Sequence, residues 1–522
     1  VSGSRLYASL VDLPAPEQAA FDAALLRMKD RMGESHALFI NGADRETHHF
    51  RAKHSPIDRG LVLGQFATAT EHEAEEAMQA AAAAYLAWRR TPASERIDAL
   101  RRVAALIVER RAEFAAVLSM EVGKNRAEAL GEAHEAAEFF TTYCDEWEKN
   151  DGVLYDLPSG PSLDGHPHSR RVLKPYGVWL VLASFNFPLA LLAGPSAAAL
   201  LAGNTVIAKG AADTPWSGRL LADAFRDAGV PPGVFNYLSG ASADMGDALI
   251  SHPQLAGLTV SASRERGSEL TRRMSHRGGV RPCIAELGAL NACVVTSHAD
   301  IDRAAMGIIH SAFGMSGQKH SSLAHVYAHG TIADDLLDQI RLKLRFMPIG
   351  DPTKRGNYLG PVTKASAYSE YRTYVHELRE HGSHVLAGGE VLTERGLGHG
   401  QFVAPTVAEA PLGHPLWKVD MFLPILLVHR VHGLEEATTL MNTAHPGLNA
   451  GVYGNPTEVD WFFEHVDAGL VYANQPLGSG AGTWPGYHPI SGWKDSDASG
   501  KTIGSFDYLA QYLRQQAQST AW

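Results

Sequence analysis

From Val178 onward the chain alternates short β-rich runs with helical ones, and this alternation restricts the possible folds more than any other feature. VWLVLAS, TVIAKGA, FNYLSG, LAGLTVSAS and CIAELG read as strands. Between them lie FPLALLAGPSAAALLAGN, TPWSGRLLADAFRDAG, ASADMGDALISHPQ and RERGSELTRRMSHRG, which read as helices. Strands separated by helices need crossover connections, so their sheet is expected to be parallel and covered on both faces. The expected class is α/β, with a doubly wound, Rossmann-type sheet. A G-x-G-x-x-G fingerprint is absent, because Gly240 and Gly246 are too far apart to supply it. Spacing alone therefore lends little to a nicotinamide cofactor.

The apolar run 178–203 is long enough to cross a bilayer. Asn186, Pro188, Gly194 and Pro195 interrupt it, and a β-branched start followed by Ala and Leu reads as a buried strand running into a buried helix. No membrane span is expected. A chain of 522 residues, 45% hydrophobic and 20% charged, can bury a large core and hold two or three domains. Its net charge of -11 offers no basic field for a nucleic acid to follow. Cys144, Cys283 and Cys293 are widely spaced, with no C-x-x-C pair, which points to neither a disulfide framework nor zinc and fits a reducing cytoplasm. VSGSRLYASLVDLP lacks a basic segment followed by an apolar one, so no signal peptide is expected and the localisation read from the sequence is cytoplasmic.

Residues 15–30 and 70–148 carry helical periodicity and read as packing and surface helices without chemistry. Residues 151–175 read as a protruding hairpin; His166 and His168 on it lack further ligands, so no metal is assigned. The expected division is a nucleotide-binding domain over 1–150 and 176–287, a catalytic α/β domain over 288–485, and an oligomerisation hairpin and tail over 151–175 and 500–522. The tail YLAQYLRQQAQSTAW reads as an exposed strand able to pair with another subunit. A homo-oligomer, a dimer or a multiple of dimers, is expected.

Separate stretches of the chain then fall in an order that resembles the aldehyde dehydrogenase superfamily. These are SFNFPLAL, AGNTVIAK, IAELGALN, SAFGMSGQKHSS and MFLPIL. FNFPLALLAGP, RPCIAELG, SAFGMSGQK, GTWPGYHP and the C-terminal SGKTIGSFDYLAQYLRQQAQS are most like the branch that oxidises glutamate γ-semialdehyde, the 1-pyrroline-5-carboxylate dehydrogenases. The resemblance implies NAD or NADP as cofactor and a small-molecule aldehyde as substrate. It also implies a cysteine nucleophile after Gly317-Gln318-Lys319, where this sequence has His320.

The matching positions have their own physical logic. Asn186, beyond a strand at a helix start, can donate its amide to a developing oxyanion; the alternative is a helix cap. Glu286 ends an apolar strand at the sheet edge where ligands bind, and can take a proton from water if burial raises its pKa; the alternative is an ion pair. Lys209 ends TVIAK and suits a cofactor ribose or phosphate, or a salt bridge. By resemblance, Ser263, Asp420 and Phe422 belong to the cofactor site, with Asp420 where the family has a longer glutamate. Ser321 and Gly482 match positions that hold a substrate carboxylate.

Departures from the family cluster at the same place. VSAS (260–263) replaces Phe-Thr-Gly-Ser, putting Ala262 where the family has glycine. ALN replaces Gly-Lys-Asn after Glu286, Leu423 replaces a small residue, and PIS replaces Pro-Phe-Gly before Gly492. Three functions compete. The first is an NAD(P)-linked oxidoreductase without a thiol, acting on an aldehyde hydrate, a semialdehyde or a cyclic carbinolamine. The second is a non-redox enzyme with His320 as acid/base. The third is a catalytically silent homologue acting as partner or scaffold.

Overall fold

A computed structural model describes residues 11–150, 154–157, 168–276, 281–443, 446–480, 485–486, 491–497, 499–501 and 503–520. The runs read as strands form one seven-stranded sheet. Its spatial order is Cys283–Leu287, Leu255–Ala262, Val178–Leu182, Thr205–Lys209, Phe235–Leu238, Leu38–Ile40 and Ala43–Arg45. The first five pair in parallel and the last two add an antiparallel edge. Thr205–Lys209 and Phe235–Leu238 are buried at every residue, as continuous apolar runs require when helices cover both faces.

Chain order reverses between Val178–Leu182 and its neighbour Leu255–Ala262. A crevice opens beyond the carboxyl ends of strands at such a switch point, and open α/β sheets bind ligands there. Ser184 to Asn186 and Ser261 to Ser263 leave their strands at this crevice.

The apolar run 178–203 resolves into the strand Val178–Leu182 and the helix Ala190–Leu201, buried along its whole length. Pro195, read from sequence as an interruption, is instead accommodated inside that helix. Among the described residues no helix is long and apolar enough to cross a membrane.

A second seven-stranded sheet runs from Asn291 to Ala473, in the order His384–Ala387, Thr406–Glu409, Ile425–Val431, Leu323–His329, Asn291–Val295, Asn449–Tyr453 and Leu470–Ala473. The tail strand Leu513–Thr520 pairs antiparallel with His168–Pro175 of its own chain, from Leu513 opposite Pro175 to Thr520 opposite His168. It forms the edge of a small sheet completed by Leu154–Leu157. Asn204 anchors its root, donating from Nδ2 to the Tyr512 carbonyl at 2.9 Å.

The helix Arg126–Lys149 begins with a capping box between Asn125 and Glu128 and presents Glu128 and Glu132 one turn apart. Glu132 and Lys124 have no side-chain exposure and stand 2.6 Å apart, in an ion contact without hydrogen-bond alignment. The other oxygen of Glu132 accepts from the backbone N–H of Leu189 and Ala190, at 2.9 and 3.2 Å. One carboxylate thus balances a buried ammonium and satisfies the start of the helix Ala190–Leu201. Glu132→Gln leaves Lys124 buried without a counter-charge and should cost about 3–5 kcal/mol. The check is a lower denaturation midpoint at an unchanged slope.

Candidate active site

The loop after the helix Ile301–Phe313 is tightly held. Met315 and Ser316 both lie in the left-handed region, with φ of 52° and 55°. Ser316 donates to the Gly360 carbonyl at 2.7 Å. Gln318 donates to the Met315 carbonyl and accepts from the Thr363 N–H, at 3.1 and 2.9 Å. Gly317 has φ of 70°, and a Cβ there would meet the Leu423 carbonyl oxygen at 2.4 Å. His320 follows, its carbonyl taken by Asn291 Nδ2 at 2.7 Å.

Two cavities meet at this loop. The larger, about 690 Å³, lies in the switch-point crevice, and the smaller, about 220 Å³, lies behind it. Glu286, Leu287 and His320 line both. Asn186, Ser263, Asp420 and Phe422 line the larger and Ser321 the smaller. Gly482 lies outside the described residues, as do His166 and the side chain of His168.

Asn186 is buried and caps no helix, since the helix Ala190–Leu201 has Leu189 at its cap position. Ser184 donates to Asn186 Oδ1 at 2.5 Å, and the amide nitrogen has no partner among the described residues. The carbonyl is pinned and the donor left available.

Glu286 accepts from Ser261 Oγ at 3.1 Å and from Tyr508 OH at 3.3 Å. Burial, and then the neighbouring Asp497, push its pKa up to about 7. The same burial acts in the opposite sense on His320, lowering it to about 4 with help from Lys319. Neither ring nitrogen of His320 has a hydrogen-bond partner among the described residues.

Lys209 is not among the residues lining either cavity. Its ammonium donates to the Gly210 carbonyl at 3.0 Å, and burial lowers its pKa to about 8. Asp420 lies against Gly288, where a Cβ would come within 2.4 Å of Oδ2. Asp420 is exposed at the cavity mouth, where water relieves the desolvation that would raise its carboxyl, and the backbone N–H groups of Phe422 and Ala289 favour its charged form. Phe422 packs edge-on against Phe185, with ring centroids 5.8 Å apart.

Sequence reasoning missed three groups. Ser261 was noticed only as part of a departure, yet it holds Glu286. Asp497 faces Glu286 across an isolated antiparallel bridge, and nothing in the local sequence announces that. The helices before residue 150 were assigned no chemistry, yet the last of them and the residue before its cap reach a cavity. Lys124, Glu128, Glu132 and Glu135 line the smaller cavity. The readable signal was a stripe of carboxylates at helical spacing, Glu128, Glu132 and Glu135, on the face that also carries Gly131 and Phe139.

The larger cavity has the features a dinucleotide needs. The helix Arg264–His276 begins at its wall, where Ser263, Arg264, Arg266 and Lys364 could meet a pyrophosphate, while Glu265, Glu370 and Asp420 line the same cavity. Ala262 is not among the left-handed residues, so its methyl strains no backbone there.

Residues 43–517 match the aldehyde dehydrogenase family. The chain is 31% identical over 510 residues to 1-pyrroline-5-carboxylate dehydrogenase of Bacillus cytotoxicus, covering 96% of each. It superposes on 1-pyrroline-5-carboxylate dehydrogenase from Thermus with bound NAD at a TM-score of 0.92 and 28% identity, covering 98% of each. It also matches proline utilization A from Bdellovibrio bacteriovorus at 0.90 and 29% identity, covering 96% of this chain and about half, 51%, of that one. With the switch-point crevice, the ordered motifs and the near-full-length matches in agreement, the chain belongs to the aldehyde dehydrogenase family.

Proposed function

We propose that the protein is a nicotinamide-dependent oxidoreductase that oxidises a small amino-acid semialdehyde through its hydrate, with Glu286 as base and no thiol nucleophile. One observation carries this reading: Glu286 and His320 stand where a large cavity suited to a dinucleotide opens onto a small one. No cysteine lines either cavity; Cys144 and Cys293 are buried and Cys283 faces Thr271. Two of the relatives above are 1-pyrroline-5-carboxylate dehydrogenases, and that cyclic imine opens by hydration to a semialdehyde.

The smaller cavity favours a zwitterion. Lys124 and Lys319 bring positive charge, and Glu128, Glu132 and Glu135 bring carboxylates to the same wall. Burial and the nearby Glu132 push Glu135 up to about 7; a substrate ammonium would favour its ionised form.

The chemistry needs three proton transfers. Glu286 takes a proton from water as the oxygen adds to the aldehyde carbon, and the Asn186 amide donates to the oxyanion that forms. Glu286 then returns that proton to the oxyanion, which gives the hydrate and leaves the carboxylate free to act again. A nicotinamide bound in the larger cavity supplies the hydride acceptor. As the hydrate carbon loses hydride, one hydroxyl proton passes to Glu286 and the acid is released. His320 contributes a neutral, hydrogen-bonding ring, since a group with a pKa of about 4 is a weak base at neutral pH. That weakness counts against a non-redox reaction driven by this imidazole.

Nicotinamide reduction with NAD and NADP, over a panel including glutamate γ-semialdehyde and short aldehydes, should be positive. It should fall by about 10²–10⁴ in Glu286→Gln and about 10²–10³ in Asn186→Ala. No reduction with any panel member would retire the dehydrogenase reading in favour of a silent homologue. His320→Cys should add thiol-dependent turnover that an alkylating reagent blocks, leaving the parent protein's rate untouched.

The imidazole assignment has its own check. In proton NMR the His320 ring, identified by its loss in His320→Asn, should titrate near pH 4, well below the ordinary 6.5. Titration near 6.5 would return His320 to candidacy as the acid/base group.

A further inference from the structure

Glu286 stands at the end of a buried file of donors that the reaction above does not use. Trp179 Nε1 donates to Thr259 Oγ1 at 2.9 Å, and Thr259 Oγ1 and Tyr512 OH share a hydrogen bond of 2.9 Å. Tyr512 OH donates to Tyr508 OH at 3.1 Å, and Tyr508 OH donates to Glu286 Oε1 at 3.3 Å. An indole N–H only donates, so Thr259 must accept there and is free to pass its own proton to Tyr512. Every O–H in the file can then point towards the carboxylate. Trp179, Tyr508 and Tyr512 are 0% exposed and Thr259 1%, so bulk water does not compete. Tyr143 stacks on Tyr508 at 6.2 Å and 11°, fixing the ring that carries the last donor.

We propose that Tyr508, backed by Tyr512 and Thr259, is a positioning residue that sets the protonation balance of Glu286 against the opposing charge of Asp497. The proposal rests on the reading of Glu286 as the base. The tyrosine file stabilises the carboxylate, because it offers only donors to it. Asp497 stabilises the acid form. It lies across the bridge from Glu286, where the Leu287 N–H donates to the Ser496 carbonyl at 2.8 Å. Its own carboxylate is fixed by the N–H groups of Ser499 and Gly500.

The other groups near Glu286 are accounted for. Ser261 donates from the neighbouring strand. Lys319 and His320 reach the shared cavity from the active loop. Lys124 and the three carboxylates Glu128, Glu132 and Glu135 line its far wall. Tyr143 lies behind Tyr508 and gives its hydroxyl oxygen to the Gly504 N–H at 3.0 Å. None of these replaces the direct bond from Tyr508.

The file also has a structural origin outside the cavity. Tyr508 lies in the short helix Phe506–Ala510, and Tyr512 immediately precedes the tail strand Leu513–Thr520. Docking of the chain's end therefore places the donors that act on the active-site carboxylate.

The test is the titration of Glu286 in the full-length protein, by carbon NMR with carboxyl-labelled glutamate and the signal assigned by its loss in Glu286→Gln. Tyr508→Phe keeps the stacked ring and removes the last donor, and should raise the Glu286 midpoint by about one pH unit, the scale of a hydrogen bond to a charged acceptor. Tyr512→Phe leaves Tyr508 in place and should raise it less, which repeats the test without disturbing the stack. Asp497→Asn should lower it. The acid limb of kcat/KM for nicotinamide reduction should move in the same directions. The NMR titration needs no turnover, so these shifts in a protein that reduces no nicotinamide would retire the dehydrogenase reading and keep the inference. A Glu286 midpoint that stays put or falls in Tyr508→Phe would overturn the inference.

Discussion

The buried contact between Lys124 and Glu132 is the interaction on which the site depends. Two opposite charges without exposure are tolerable only together. Glu132 also takes the first N–H groups of the helix Ala190–Leu201. That fixes where the helix begins, and so fixes the short segment before it that carries Asn186 and Phe187. Lys124 Nζ lies 3.3 Å from the Phe187 ring centroid, so the same ammonium presses on the cavity wall. A helix start, an oxyanion donor and a substrate wall are thus held by one charge pair.

Above this floor, desolvation divides the work between two titratable groups. Removing water disfavours whichever form is charged. It raises Glu286 to about 7 and lowers His320 to about 4. One environment therefore weakens the imidazole as a base and brings the carboxylate close to the pKa at which proton transfer is effective near neutrality. The residue that drew attention in the sequence is the weaker base at neutral pH, and the proposed base is its neighbour across the cavity.

The fold was legible because its determinants are local. Continuous apolar runs such as Thr205–Lys209, separated by helical runs, leave a parallel sheet as the natural arrangement, and the switch point then locates the crevice. Asn186, Glu286, Ser263 and Asp420 all line the larger cavity, and what the sequence offered for them was their place at strand ends or in ordered motifs. Asp497, Tyr508 and Tyr512 were not legible, because their relation to Glu286 depends on tertiary closure across more than two hundred residues of chain. Lys209 lies at the end of its strand as the sequence indicates, with its ammonium donating to the Gly210 carbonyl. The carboxylates of the helix Arg126–Lys149 were visible as letters and passed over, since only the packed cavity distinguishes a buried charged stripe from a solvated one.

Two of the departures from the family pattern lie in contact with carboxylates of the site. Ser261, within VSAS, donates to Glu286. Ala289, within ALN, directs its N–H at Asp420, and Leu290 closes the wall of the larger cavity. A site losing its chemistry would have no need to keep a buried carboxylate supplied with donors, because an unpaired buried acid costs stability and apolar replacement relieves that cost. Here the carboxylate is retained, donors reach both its oxygens, and its pKa sits near neutrality. The carboxylate of Glu286 thus keeps its donors beside a neutral imidazole that burial holds near 4.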